Sequence, residues 1–231
     1  MVKLDNKTYI TSDLHFFHVN IAKYCSRPYN VEELRNKDFM NSEILRMNED
    51  ILKEFDKLPE KCDIYNNGDL FFVGEENRKK FFRDHQEDMK AIVQRMKGPT
   101  GQRRLILILG NHDNLHNKGE SRIQFYYNLG FDKVYDTPII VENKFILSHE
   151  PVYISPANNF INFYGHTHDI DIPMDYHCYD YTNFAEQKRI NPDYVPPKPW
   201  PDRTVDLDKY FNLCWDKHHK LLDMNELIKK Y

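Results

Sequence analysis

The run Arg104-Leu105-Ile106-Leu107-Ile108-Leu109, followed at once by Gly110-Asn111-His112-Asp113, decides how the rest of the chain is read. Apolar side chains at consecutive positions indicate a strand covered on both faces, and a strand of that kind belongs to a layered α/β protein. Working outward, other strand-like runs also stop at a small polar cluster. Thr8-Tyr9-Ile10-Thr11 stops at Ser12-Asp13, and Cys62-Asp63-Ile64-Tyr65-Asn66 stops at Gly68-Asp69. Residues 134–147 read as two strands around Glu142-Asn143 that lead to Ser148-His149. Residues 160–164 end at Gly165-His166, and 209–215 is the last strand candidate.

Between these runs the apolar period lengthens to three and four residues. Leu34, Met40, Ile44, Met47, Ile51, Leu52 and Phe55 predict a helix over 31–58, closed by Pro59. Phe81, Phe82, Met89, Ile92, Val93 and Met96 predict another over 75–97, before the turn Gly98-Pro99-Thr100-Gly101. Shorter helices are expected at 121–129 and 224–228. Helices alternate with strands in the first half, and strands dominate the second, which fits an α/β class. No repeat or linker divides the chain, so residues 1–231 are expected to form one domain. An irregular excursion at about 169–207 is rich in proline and aromatic residues. A connection this long is usually functional or disordered, and its aromatic content favours an ordered path over the surface.

Composition narrows the class. The chain has 231 residues, 40% hydrophobic and 29% charged, with 15 Tyr and 15 Phe; this length supports a well-buried, largely aromatic core. No apolar run approaches the roughly 20 residues of a membrane helix, and the first residues have no signal-peptide stretch, so a cytoplasmic protein is expected. Cys25, Cys62, Cys178 and Cys214 form no C-x-x-C pair and read as free thiols. A net charge of −4 counts against a broad nucleic-acid surface.

The chemistry lies in the clusters at the strand ends: Asp13-Leu14-His15, Gly68-Asp69, Gly110-Asn111-His112-Asp113, Ser148-His149 and Gly165-His166-Thr167-His168. Carboxyl ends of strands in an α/β sheet converge on one crevice. Charge placed there is costly unless a metal or a partner compensates it. Imidazole, carboxylate and amide donors without thiolate suit borderline and hard divalent ions and argue against a structural zinc site.

In this order, D-x-H, G-D, G-N-H-D, H and G-H-x-H resemble the motifs of the calcineurin-like metallophosphoesterases. The stretch Thr11-Ser12-Asp13-Leu14-His15-Phe16-Phe17-His18-Val19-Asn20-Ile21 is similar to the start of small bacterial and bacteriophage members. The resemblance implies a four-layer α/β/β/α sandwich of two mixed β-sheets flanked by helices. It also implies two divalent metals, Mn²⁺ first, with Fe²⁺, Ni²⁺, Zn²⁺ or Mg²⁺ as alternatives. One metal falls to Asp13, His15 and His168, the other to Asn111, His149 and His166, and Asp69 bridges them. The implied activity is hydrolysis of a phosphodiester or phosphomonoester by in-line attack of a hydroxide shared by the metals. His112 would assist departure of the leaving group. Asp113 either orients His112 or caps the following helix.

Two departures from relatives narrow the family. Phe72 stands where the purple, mixed-valence branch has a tyrosine, so a phenolate-bound Fe³⁺ centre is not expected. Val73-Gly74 follows Phe72 without the Asp and Arg of the Ser/Thr phosphatase signature. Beyond the ligands, His18 and Asn20 are candidates for contact with substrate phosphate or metal-bound water, with plain surface positions as the alternative. Arg27 is a candidate phosphate clamp, with a surface salt bridge as the alternative. The expected partner is a small phosphoester or nucleotide-type substrate, with no membrane role; the excursion leaves room for an oligomer contact. A nuclease of the same superfamily and a catalytically silent metal-binding scaffold are the competing readings. The former usually carries capping domains and basic channels absent here, and the latter sits poorly with a full ligand set.

Overall fold

A computed structural model describes residues 2–74, 78–113, 121–155, 157–171 and 206–231, without the side chains of residues 79, 82 and 83. Strand β3 (Arg104–Ile108) shows why consecutive apolar residues were needed. Leu105 and Leu107 face a core shared with helices, while Ile106 and Ile108 face a second core between two sheets. Parallel pairing places β3 beside β2 (Asp63–Asn66) and β2 beside β1 (Thr8–Thr11). The same alternation holds there: Ile64 enters the helical core, and Ile10 and Tyr65 enter the inter-sheet core.

The first sheet runs β4-β3-β2-β1-β9, with β4 (Lys133–Tyr135) parallel to β3 and β9 (Leu222–Asp223) antiparallel to β1. The second runs β5-β6-β7-β8, from β5 (Ile139–Val141), β6 (Phe145–Leu147), β7 (Ile161–Tyr164) and β8 (Tyr210–Asn212). Here β5 is antiparallel to β6, and β6, β7 and β8 are mutually parallel neighbours. The protein is thus built on two mixed β-sheets flanked by helices. Helices α1 (Val19–Tyr24), α2 (Ser42–Asp56), α3 (Arg78–Met96) and α4 (Arg122–Leu129) cover the first sheet. Short helices α5 (Trp215–His218) and α6 (Met224–Leu227) flank β9 in the chain. Residues 152–154 cross the second sheet. Val152 N donates to Asn162 at 2.9 Å, Ile154 N donates to Tyr210 Oη at 3.0 Å, and that hydroxyl donates to Val152 O at 3.1 Å.

Two expectations are corrected. The helix predicted over 31–58 begins only at Ser42, because Asn41 caps it, accepting from Glu43 N at 2.9 Å. Upstream, Asp38 accepts from Arg35 N and closes a short 3₁₀ turn instead. Val31 fills the helical core from this stretch and Leu34 packs against it, while Met40 is exposed. Residues 134–147 hold three strands rather than two, since the chain leaves the first sheet after Tyr135 and enters the second at Ile139. The hairpin at Glu142-Asn143 stands, with both residues left-handed at φ 50° and 57° and Lys144 N donating to Val141 O at 3.2 Å across them. Helix α1, helix α5 and strand β9 were too short to show a period. Most of the predicted excursion lies outside the described residues.

Phe163 is fully buried between Phe145 and Phe211, at ring-centroid distances of 5.3 and 5.7 Å. Phe163→Ala is expected to lower stability by about 3–5 kcal/mol, measurable as a shifted midpoint in urea unfolding.

Candidate metal centre

All five polar clusters lie past the carboxyl ends of strands, three from the first sheet and two from the second. Hydrogen bonds continue beyond the strands and keep the β1 and β2 loops side by side. Asp13 N donates to Gly68 O at 3.0 Å, His15 N to Asp69 O at 3.0 Å, and Phe16 N to Leu70 O at 2.8 Å. Asp13, His15, Asp69, His166 and His168 all adopt left-handed backbone, with φ between 51° and 71°. Each non-glycine residue held there costs about 1–3 kcal/mol, which only a rigid surround sustains. Gly68 and Gly110 let the loops touch: a Cβ on Gly68 would lie 2.6 Å from Gly110 N and 2.7 Å from His149 Nδ1.

Two groups of donor atoms converge, Asp13 with His15 and His168, and Asp69 with His149 and His166, each with ligand atoms within 4.8 Å of one another. Asp69 also faces the first group, its Oδ2 lying 3.7 Å from His15 Nε2 and 3.4 Å from His149 Nε2. Asn111 Oδ1 completes the second group, 2.8 Å from His149 Nε2 and 3.1 Å from His166 Nδ1. Asp13 Oδ1 and both nitrogens of His15 are buried without a hydrogen-bond partner among the described residues. Burial of unpaired donors and acceptors is costly, and a cation between them would relieve it. The donor set therefore fits divalent metal.

The electrostatics agree. Burial opposes charge on His149, yet the Asp69 carboxylate outweighs it and raises the imidazole to about 10. Burial also opposes charge on His168, but its hydrogen bond to Asp216 raises it to about 10. His166, buried beside His149, falls to about 4, and His18, buried and near His112, falls to about 3. Asp69 is held well below the usual carboxylate range: burial works against this, and His149 and His15 overcome it.

His112 lies at the rim, its ring 5.6 Å from His15 and 4.4 Å from Phe72, and its N–H donates to Asp69 Oδ1 at 2.8 Å. His18 joins the same cluster, 5.2 Å from His15 and 4.4 Å from Phe72 by ring centroids, with Nδ1 buried and unpartnered among the described residues. Asn20 is not drawn in; its amide donates to Tyr24 Oη at 3.4 Å on α1.

Arg27 requires a correction. It is buried, and its guanidinium is committed inward to Asp216 and to the carbonyl oxygens of Leu14 and Asp13. It braces the loop after β1, and each of its three guanidinium nitrogens is engaged inside the protein. Among the described residues Asp113 hydrogen-bonds neither the His112 side chain nor a helix start, and residues 114–120 lie outside them. It is fully buried and accepts from Asp69 N and Gly110 N at 2.8 Å, Leu70 N at 3.1 Å and Tyr126 Oη at 2.7 Å. The reading of the sequence missed Asp216, which binds both Arg27 and His168, and Cys214, whose thiol donates to Asp13 Oδ2 at 3.1 Å. A carboxylate following a strand end, in Asn212-Leu213-Cys214-Trp215-Asp216, was the available signal.

A family model described as calcineurin-like phosphoesterase matches residues 7–205. An uncharacterised protein of Methanocaldococcus jannaschii is 32% identical over 114 residues, covering 48% of this chain and 49% of that protein. The chain thus spans about half the length of this curated relative. Among solved structures, a protein of unknown function from Aquifex aeolicus aligns at 18% identity over 97% of this chain and 99% of its own, with a TM-score of 0.48. The nuclease MPE of Pseudomonas putida aligns at 20% identity over 70% of this chain and 61% of its own, with a TM-score of 0.40.

A nitrogen must be bare to bind metal, so below pH about 10 protons on His149 and His168 would compete with a cation at this centre. Affinity for Mn²⁺ is expected to rise with pH through the neutral range and level off near that value. Titration calorimetry at pH 7.5 in buffers of different ionisation enthalpy should show proton release on binding. Removing the Asp113 carboxylate strands three buried N–H groups; Asp113→Ala is expected to cost about 3 kcal/mol or more, read by thermal unfolding.

Proposed function

The chain belongs to the calcineurin-like phosphoesterase family, and on that premise we propose that it hydrolyses a phosphodiester or phosphomonoester with two divalent cations, Mn²⁺ first among them. The observation that carries the reading is Asp69 Oδ2, which faces His15 on one side and His149 on the other at 3.7 and 3.4 Å. Asp13, His15 and His168 would hold one ion, Asn111, His149 and His166 the other, and Asp69 both. Bound there, such a pair neutralises phosphoryl oxygens and lowers the pKa of water at the reacting phosphorus.

The chain's own groups supply the rest. His112, half-buried at the rim, can give a proton to the departing oxygen, a contribution typically worth about 10²–10⁴ in rate. Its backbone N–H on Asp69 fixes the start of its side chain relative to the bridge. His18 and His112 flank Phe72, so a ring wall closes one side of the cluster. His18, uncharged at neutral pH, is the further substrate contact. A groove of about 540 Å³ opens directly from Asn111 and His149 and is lined further out by Arg122, Asp136, Thr137 and Tyr153. That size suits the remainder of a small or nucleotide-type phosphoester.

Purified protein with Mn²⁺ or Ni²⁺ is expected to cleave bis-p-nitrophenyl phosphate or p-nitrophenyl phosphate; no turnover with any divalent ion removes the proposal. His112→Ala should keep two metals per chain, by elemental analysis, while kcat falls by about 10²–10⁴. Loss of metal from that variant instead would assign His112 to the ligand set. Asp69→Asn is expected to lose both ions.

A further inference from the structure

We propose that Asp216, backed by Arg27, is a positioning residue that locks His168 with Nδ1 protonated and Nε2 turned toward Asp13 and His15. The inference rests on the two-cation reading above and concerns how one half of that centre is assembled.

Asp216 lies on α5, beyond the region matched by the family model, and its side chain is 1% exposed. Its Oδ2 is 2.8 Å from His168 Nδ1. The same carboxylate takes Arg27 Nε at 2.6 Å on Oδ1 and Nη2 at 3.0 Å on Oδ2. Arg27 then donates to Leu14 O at 3.0 Å and Asp13 O at 3.1 Å, so one buried ion pair joins both loops of this half-site. A carboxylate on the far nitrogen of a ligand imidazole fixes its tautomer and orientation and raises its basicity. Arg27 stabilises the charge that Asp216 needs for that task.

Neighbours in the same segment act in the same place. Cys214 donates its thiol to Asp13 Oδ2, and Trp215 N donates to Ser12 O at 2.9 Å. Asn212 Nδ2 donates to Thr167 Oγ1 at 3.1 Å and to His168 O at 2.9 Å. The other half-site is built differently: His149 Nδ1 lies 2.8 Å from a backbone oxygen, Asn67 O. The far nitrogen of His168 therefore rests on a removable side chain, whereas that of His149 faces a backbone oxygen.

The test is metal binding by the full chain with Mn²⁺ alone. Wild-type protein is expected to take two ions per chain and give the exchange-coupled electron paramagnetic resonance signal of a pair. Asp216→Asn should keep one tight ion and bind the second about 10–100-fold more weakly, with the six-line signal of an isolated ion in place of the coupled one. Two ions at wild-type affinity in Asp216→Asn would overturn the inference and leave the two-cation reading intact. A single ion in wild-type protein would overturn both. Long-range ¹H–¹⁵N spectra of Zn²⁺-loaded wild-type protein test the same point without a variant. His168 should show a proton on Nδ1 and metal on Nε2. Metal on Nδ1, as in a site made by Cys25, His168 and Asp216, whose donor atoms also lie within 4.8 Å of one another, would overturn the inference.

Discussion

Three carboxylates, Asp13, Asp69 and Asp113, are buried at one end of two sheets, and the rest of the site depends on keeping them there. Burying ionised groups without partners is among the most costly things a fold can do. The chain solves this separately for each. Asp113 takes three backbone N–H groups and the Tyr126 hydroxyl, which binds the β2 and β3 loops into one block. Asp13 takes His166 N and the Cys214 thiol on one oxygen, and the other has no hydrogen-bond partner among the described residues. Asp69 takes His112 N on one oxygen and lies among imidazoles with the other. What is left unsatisfied points at a common centre.

That arrangement also explains the backbone. Five of the proposed ligands are left-handed although none is glycine. At these five positions, past the ends of β1, β2 and β7, the backbone reverses sharply. The strain is sustained because the loops are tied to each other on one side and rooted in two apolar cores on the other. Glycines serve where no side chain fits: Gly68 and Gly110 against each other, and Gly165 against Ser12 and Asp13.

Arg27 and Asp216 show where reading along the chain fails. An arginine near a phosphate site suggests a clamp, and nothing near Arg27 in sequence contradicts that. Its partner lies 189 residues away, on a helix of four residues with no detectable period. Only folding brings the two together, and their pairing turns the guanidinium inward. Asp113 is a similar case, since adjacency suggested His112 as its partner, whereas its contacts are the loops and Tyr126.

The sequence by itself determined the α/β class, the main strands, and which polar clusters follow them. Consecutive or alternating apolar residues report burial directly, and a ligand must sit where a strand ends. It also determined the donor chemistry, because imidazole, carboxylate and amide are properties of the residues. Tertiary structure alone decided the distances between those donors, the placing of one oxygen of Asp69 between His15 and His149, and that Arg27 is a brace. It also decided that residues 134–147 divide between two sheets. Those facts depend on distances between segments far apart in the chain, and local periodicity carries no information about them.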